Sequence, residues 1–233
     1  MSLFRYDAAL LERYPQTRGA ILHVHDLQGG ASSPDLLELY SQEQTATLER
    51  IGDRPLSELP SIAAWRRCFS GFGVRPTQYR SAVEALLRRL TKQGDIPSIN
   101  RLVDIGNLIS IRHEMPVAVF DTRDLALPVT VRFSNGDECF TGLGEREAQQ
   151  PAEGEVIFAD TTDLVVARRW CWRQSAESAA RADTAEALVT CEAQHADSFN
   201  TIEQALKELL DLLSRFAGGD ANAAILDAGN SEL

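Results

Sequence analysis

Between Pro97 and Asp121 the chain reads PSINRLVDIGNLISIRHEMPVAVFD. Ile99, Leu102, Val103, Ile105, Leu108, Ile109 and Ile111 recur at the three- and four-residue spacing that lines one face of a helix. Ser98 is the expected N-cap, its hydroxyl accepting from an orphan amide of the first turn. Asn107 falls near the edge of the apolar face, where a part-buried amide needs partners in the protein or in a ligand. Pro116 blocks continuation of the helix, and Val117 to Phe120 reads as a short buried strand ending at Asp121.

The same patterning predicts the other elements. Gly19 to Leu27 alternates as an early strand, and Ser33-Pro34 opens a helix to about Ile51. Pro60 opens a short helix through Phe69, and Gly71, Gly73 and Pro76 punctuate the loop that follows. Ser81 and Glu84 form a capping box for a helix to Gln93, stopped by Gly94. The text then turns strand-like: PVAVFD, LPVTVRFS, CFTGL, GEVIFAD, DLVVARRW and ALVTCEA. Ser198 to Ala217 is an amphipathic helix ended by Gly218-Gly219, and the small, acidic remainder is expected to fray. Helices, then strands, then one closing helix make an α+β fold of mixed, mostly antiparallel sheets with flanking helices. Residues 1–58 are expected to form an extension packed on the core and covering a sheet edge. Residues 59–217 form the core domain, and 218–233 a flexible acidic tail.

Composition narrows the class. With 44% hydrophobic and 24% charged residues, the chain fits an ordinary soluble globular protein. No apolar run is long enough to cross a bilayer, and MSLFRYDAALLERYP lacks the layout of a secretory leader, so the cytoplasm is the expected location. A formal charge of -11 argues against a generic nucleic-acid surface, and no DNA partner is expected. The charge is uneven, however: Arg66 to Arg112 carries nine basic and three acidic residues between acidic ends. That stretch offers a surface for a polyanionic ligand, or else a solvated helix face. Cys68, Cys139, Cys171 and Cys191 form no C-x-x-C pair, and His23 and His25 share a strand face without a third ligand. No metal or cofactor is therefore expected. P-loop, G-x-G-x-x-G, G-x-S-x-G and H-E-x-x-H signatures are absent.

Four pieces in order carry a resemblance: AWRRCFSGFGVRPTQYRSAVEALLRRL, SINRLVDIGNLISI followed by MPVAVFD, GEVIFAD, and RRWCWRQS. Together they resemble the B3/B4 domain, the aminoacyl-tRNA editing domain of the phenylalanyl-tRNA synthetase β subunit, and its free-standing relatives. The resemblance implies hydrolysis of the ester joining an amino acid to tRNA, with no ATP or aminoacylation site. Asn107 matches the family's helix asparagine, and Pro116, Val117 and Ala118 match the strand that walls the amino-acid pocket. Synthetase domains often carry histidine where this chain has Ala118, which removes a donor or general base. Glu138, after Val131-Arg132, matches a family carboxylate that holds a substrate ammonium or pairs with Arg132. Glu192, with Thr190 as the competing match, falls where the synthetase domain carries an acidic residue important to editing.

In Arg168-Arg169-Trp170-Cys171-Trp172-Arg173, strand alternation sets Arg169 and Arg173 on one face and Trp170 on the other. The arginines, with Arg112, are candidate phosphate contacts, and Trp170 a candidate platform for a terminal base. Two functions follow: a trans-acting editing hydrolase with Asn107 and Glu192 in catalysis, or a non-catalytic module that binds tRNA, an amino acid or a protein partner.

Overall fold

A computed structural model describes residues 2–233. Its first sheet has the order β3 (Val117–Asp121), β8 (Ala187–Ala193), β2 (Arg18–His25), β9 (Asp220–Leu226), each neighbouring pair antiparallel. Every residue of β8 is buried because both faces of the sheet are covered. Val189, Cys191 and Ala193 pack into a core with α2 (Pro34–Ile51), α4 (Ala82–Gln93), α5 (Arg101–His113) and α6 (Phe199–Phe216). The alternate residues Leu188, Thr190 and Glu192 face the second sheet.

That second sheet runs β1 (Phe4–Tyr6), β4 (Val129–Phe133), β5 (Val156–Ala159), β6 (Val165–Arg168), β7 (Arg173–Gln174). β1 is parallel to β4 and the remaining pairs are antiparallel. Phe4, Tyr6, Ile21, Trp65, Phe120, Phe158 and Trp170 fill the space between the sheets, with α1 (Ala8–Arg13) and α3 (Pro60–Gly71) at its side. The α+β architecture with mixed, mostly antiparallel sheets is as the sequence predicts.

Several local expectations are corrected. The α5 N-cap is Asn100, whose side chain accepts from the Val103 amide, because Ser98 is drawn off to Asp104. CFTGL forms only isolated bridges, at Cys139, Phe140 and Gly142. DLVVARRW stops as a strand at Arg168, where the chain turns. Residues before 59 are not an extension lying over the core, since β2 is interior to the first sheet, between β8 and β9. Nor does 218–233 fray: 220–226 pairs along β2 as β9, and Leu233 exchanges hydrogen bonds with the β1 region (Leu3 N–H to Leu233 O, 2.6 Å; Leu233 N–H to Phe4 O, 2.9 Å). Small alanines suit this pairing, which no local signal announces.

Asp104, fully buried in the first turn of α5, anchors that helix. Its carboxylate accepts from the Ser32 hydroxyl at 2.6 Å, the Ile99 amide at 2.9 Å and the Ser98 hydroxyl. One side chain therefore ties the approach to α2, the approach to α5 and the positive end of α5. Asp104→Ala strands three donors and is expected to cost about 2–4 kcal/mol in urea unfolding. A loss below about 1 kcal/mol would mean that solvent replaces the carboxylate.

Candidate functional site

The β6–β7 connection is the least ordinary backbone near the sheets. Arg169 and Trp170 both adopt left-handed conformations, with φ of 48° and 59°. Non-glycine residues in this region cost about 1–3 kcal/mol each, so the surroundings must hold them. Glu155 does so: its carboxylate takes two bonds from the buried Arg168 guanidinium (2.9 and 3.0 Å) and one from the Arg169 amide (3.1 Å). The Trp170 amide donates to Val156 O at 2.7 Å. The turn sends the Trp170 indole into the inter-sheet core, where it is fully buried.

There the indole N–H donates to Glu192 Oε1 at 3.0 Å, and the Tyr6 hydroxyl donates to the same oxygen at 2.8 Å. Gly19, the β2 partner of Glu192, makes room for this: a Cβ on it would lie 2.2 Å from the Tyr6 hydroxyl. Among the described residues, no hydrogen bond reaches Oε2. Burial pushes the Glu192 carboxyl up to about 7, against the lowering effect of the bonds from Trp170 and Tyr6. Burial likewise raises the Tyr6 hydroxyl well above its usual range, ahead of the effect of Glu192, so it stays a donor.

Glu192 lines a cavity of about 260 Å³ between the sheets. Its walls are Phe120, Phe158, Trp170, Pro116, Val117 and Ala118, with Thr190 and Gln174 as polar groups. Thr190, opposite Ala118 in the β3–β8 pairing, has no hydrogen-bond partner for its hydroxyl among the described residues. Cys171 also lines the space, but burial, and after it Glu192, keeps its thiol protonated, a poor state for a nucleophile. At the mouth Arg173 pairs with Glu145 at 2.9 Å beside the exposed Leu143. The Arg169 guanidinium lies between Tyr79 (3.8 Å to the centroid) and Trp172 (4.4 Å), and Arg173 stacks on Trp172 at 4.7 Å.

Asn107 lines a different cavity, of about 410 Å³, with Gly106, Val103, Leu86 and Arg89. The two cavities share Ala82, Val117, Ala118 and Gln174. Asn107 lies on the helix side of β3 and Glu192 on the inter-sheet side, so the two candidate catalytic residues do not form one constellation. Gly106 permits the close approach of α5, since a Cβ there would meet Val119 Cγ2 at 3.3 Å.

The remaining candidates are placed as follows. Glu138 and Arg132 pair with each other away from the cavity, and Glu138 also accepts from the Ser134 hydroxyl (2.6 Å) and the Asn135 amide (2.9 Å). Burial would raise this carboxyl, but those bonds together bring it to about 2. Arg112 is held by Glu43 (2.6 Å) and Glu208 (2.8 Å). Trp170, buried beneath the turn, presents no face to a base; Trp172 is the tryptophan at the mouth. Tyr6, Gly19 and Glu155 escaped sequence reasoning, and of these only a glycine inside a strand pattern left a trace. His25, Asp26 and Asp220 are the one group of three metal-ligand types within 4.8 Å of one another among the described residues, and all are exposed. His23 pairs with Glu186 at 2.6 Å.

The folded chain retains the Glu192 proton up to about pH 7, while an unfolded glutamate releases it near 4.5. Stability therefore falls as pH rises across that window, by up to about 3 kcal/mol. Glu192→Gln keeps an acceptor for Tyr6 and Trp170 and removes this slope. Urea midpoints at pH 5 and pH 8 should differ in the wild type and converge in the variant; equal slopes would place the titration elsewhere.

The model of the B3/4 domain matches residues 64–228. Among solved structures, an N-terminal fragment of the phenylalanyl-tRNA synthetase β subunit from Pyrococcus horikoshii is similar at a TM-score of 0.49 and 13% identity, over 94% of this chain and 50% of that one. This chain thus spans half the length of that fragment. A comparison with curated proteins finds no match. No helix among the described residues is long and apolar enough to cross a membrane. With the family model covering well over half of its length, the chain belongs to the B3/4 domain family.

Proposed function

We propose that the chain hydrolyses the ester of mischarged aminoacyl-tRNA, holding the amino-acid side chain in the inter-sheet cavity. The observation that carries this reading is the Glu192 carboxylate, poised near neutrality in an apolar space with one oxygen free of protein donors. At about 260 Å³ the cavity is smaller than the roughly 300–1,000 Å³ clefts that take drug-sized ligands, and it suits one amino-acid side chain. An aminoacyl ester is already activated, so positioning supplies much of the catalysis. The ionised Glu192 takes a proton from the attacking water through Oε2, or accepts from the substrate ammonium, while Tyr6 and Trp170 hold Oε1 still. In the first role the proton passes on to the departing ribose oxygen as the ester bond breaks.

RNA docking has a matching surface. Ala82, at the start of α4, lines the cavity, and Arg88 and Lys92 are exposed farther along that helix. With Arg67 and Arg75 they have no carboxylate within 4 Å among the described residues, unlike Arg66 and Arg80, which share Glu84. Such cations engage phosphates and make binding weaken with salt.

The test is deacylation of a panel of mischarged tRNAs at pH 6 and pH 8. One aminoacyl species should be lost, faster at pH 8, and Glu192→Gln should slow it at least tenfold. Asn107→Ala, altering the other side of β3, should slow it less than tenfold. A flat panel together with saturable amino-acid or tRNA binding would assign the chain instead to a non-catalytic binding module.

A further inference from the structure

A third cavity, of about 270 Å³, opens where the end of α1 meets α3. Arg13, Tyr14 and Gln16 line it from one side, Arg67 and Cys68 from α3, and Gln194 from just beyond β8. The buried Trp170 indole separates this space from the inter-sheet cavity. That ring lines the inter-sheet cavity and packs edge-on against Tyr14, with centroids 5.3 Å apart. Nothing in the hydrolase reading uses the third cavity.

Its walls carry two guanidiniums and no carboxylate, in a chain whose formal charge is -11. Arg66, the neighbour of Arg67, is held by Glu84 through bonds of 2.6 and 3.1 Å. Arg67 itself has no hydrogen-bond or carboxylate partner among the described residues. Arg13 donates through Nη2 to Gly71 O at the end of α3, and its guanidinium lies over Tyr14 (5.9 Å to the centroid) and Phe133 (5.7 Å). Its other donors are unspent. Both cations act on the cavity. Burial pushes the Cys68 thiol up to about 12 and raises the Tyr14 hydroxyl, while Arg67 opposes the first shift and Arg13 the second. The Tyr14 hydroxyl, buried against Gly71, has no partner among the described residues. Gln194 Nε2 donates to Thr17 Oγ1 at 2.9 Å and keeps a second proton. A lining of donors without an anionic acceptor favours an anion.

We propose that this cavity binds a terminal phosphate group, its oxygens shared between the Arg13 and Arg67 guanidiniums. A carboxylate has two oxygens and is satisfied by one guanidinium fork, whereas a terminal phosphate has three and carries a charge of about −1.5 to −2 at pH 7. Two cations on separate elements, α1 and α3, suit the phosphate. Tyr14 and Gln194 offer neutral donors beside them. A free phosphate compound and an RNA end share this chemistry. The inference goes beyond the hydrolase reading, and phosphate binding with a flat deacylation panel leaves it intact.

Inorganic phosphate, adenosine 5′-monophosphate and acetate are titrated into the full 15N-labelled chain at pH 7 and constant ionic strength, with the Nε–H signals of Arg13 and Arg67 as the readout. Saturable shifts of both signals are expected with phosphate and with the nucleotide, half-complete below about 1 mM. Acetate should bind at least tenfold more weakly. Arg67→Gln, at an exposed position, should weaken phosphate at least tenfold without moving the urea midpoint. A short RNA with a 5′-phosphate separates the two sources: binding at least tenfold tighter than the nucleotide assigns the phosphate to an RNA end, and equal or weaker binding assigns it to a small molecule. Unmoved Arg13 and Arg67 signals, or acetate binding as tightly as phosphate, would overturn the proposal. So would shifts as large with the same RNA carrying a 5′-hydroxyl, which assign the arginines to internal phosphodiesters.

Discussion

One buried carboxylate joins the two sheets. Glu192 belongs to the first sheet, while its donors come from the second: Tyr6 from β1 and Trp170 from the β6–β7 connection. Burying a glutamate is costly unless it stays protonated or is well hydrogen-bonded, and here the two donors offset only part of that cost. Around it the structure makes several local concessions. Gly19 gives up a side chain so that Tyr6 can reach, and two residues take left-handed backbone so that Trp170 can. The buried Glu155–Arg168 pair holds that turn in place. These concessions converge on a single oxygen and leave the other facing the cavity.

Such an arrangement costs stability. A glutamine at this position would keep both acceptor bonds without the cost of ionisation, so the carboxylate is not what the packing alone requires. Perturbed ionisation in a concave apolar space is a common mark of function, and here geometry supports it independently. The strand opposite lies between the two cavities: β3 supplies Val117 and Ala118 to both, beside Ala82 of α4 and Gln174 of β7.

Much of the fold was legible because its signals are local. Ser33-Pro34, Ser81 and Gly94 announce helix ends through contacts within one turn, and the structure uses each of them, although the Glu84 carboxylate goes to Arg66 and Arg80 instead of completing the capping box. The resemblance likewise rested on contiguous pieces, and the family match spans them. What escaped depends on residues distant in the chain. Ser98 was lost as a cap to Asp104, and β9 takes its meaning only from β2. Strand alternation misassigned Arg169 and Trp170 because no propensity foretells consecutive left-handed residues in an arginine-tryptophan run. Asn107 and Glu192 were grouped by family motif alone, and only the pairing register reveals that β3 stands between them.

The pairing of β2 also governs when the first sheet can exist. Its partners β8 and β9 begin at Ala187 and Asp220, while β2 itself ends at His25. During synthesis at roughly 5–20 residues per second, the apolar core of this strand waits on the order of 10–40 s with both edges bare. Closing so long a loop is slow even for the completed chain. The ribosome-bound chain is therefore the most vulnerable form of this protein, and shielding of Ala20, Ile21 and Leu22 in that interval bears on its yield as much as the stability finally reached.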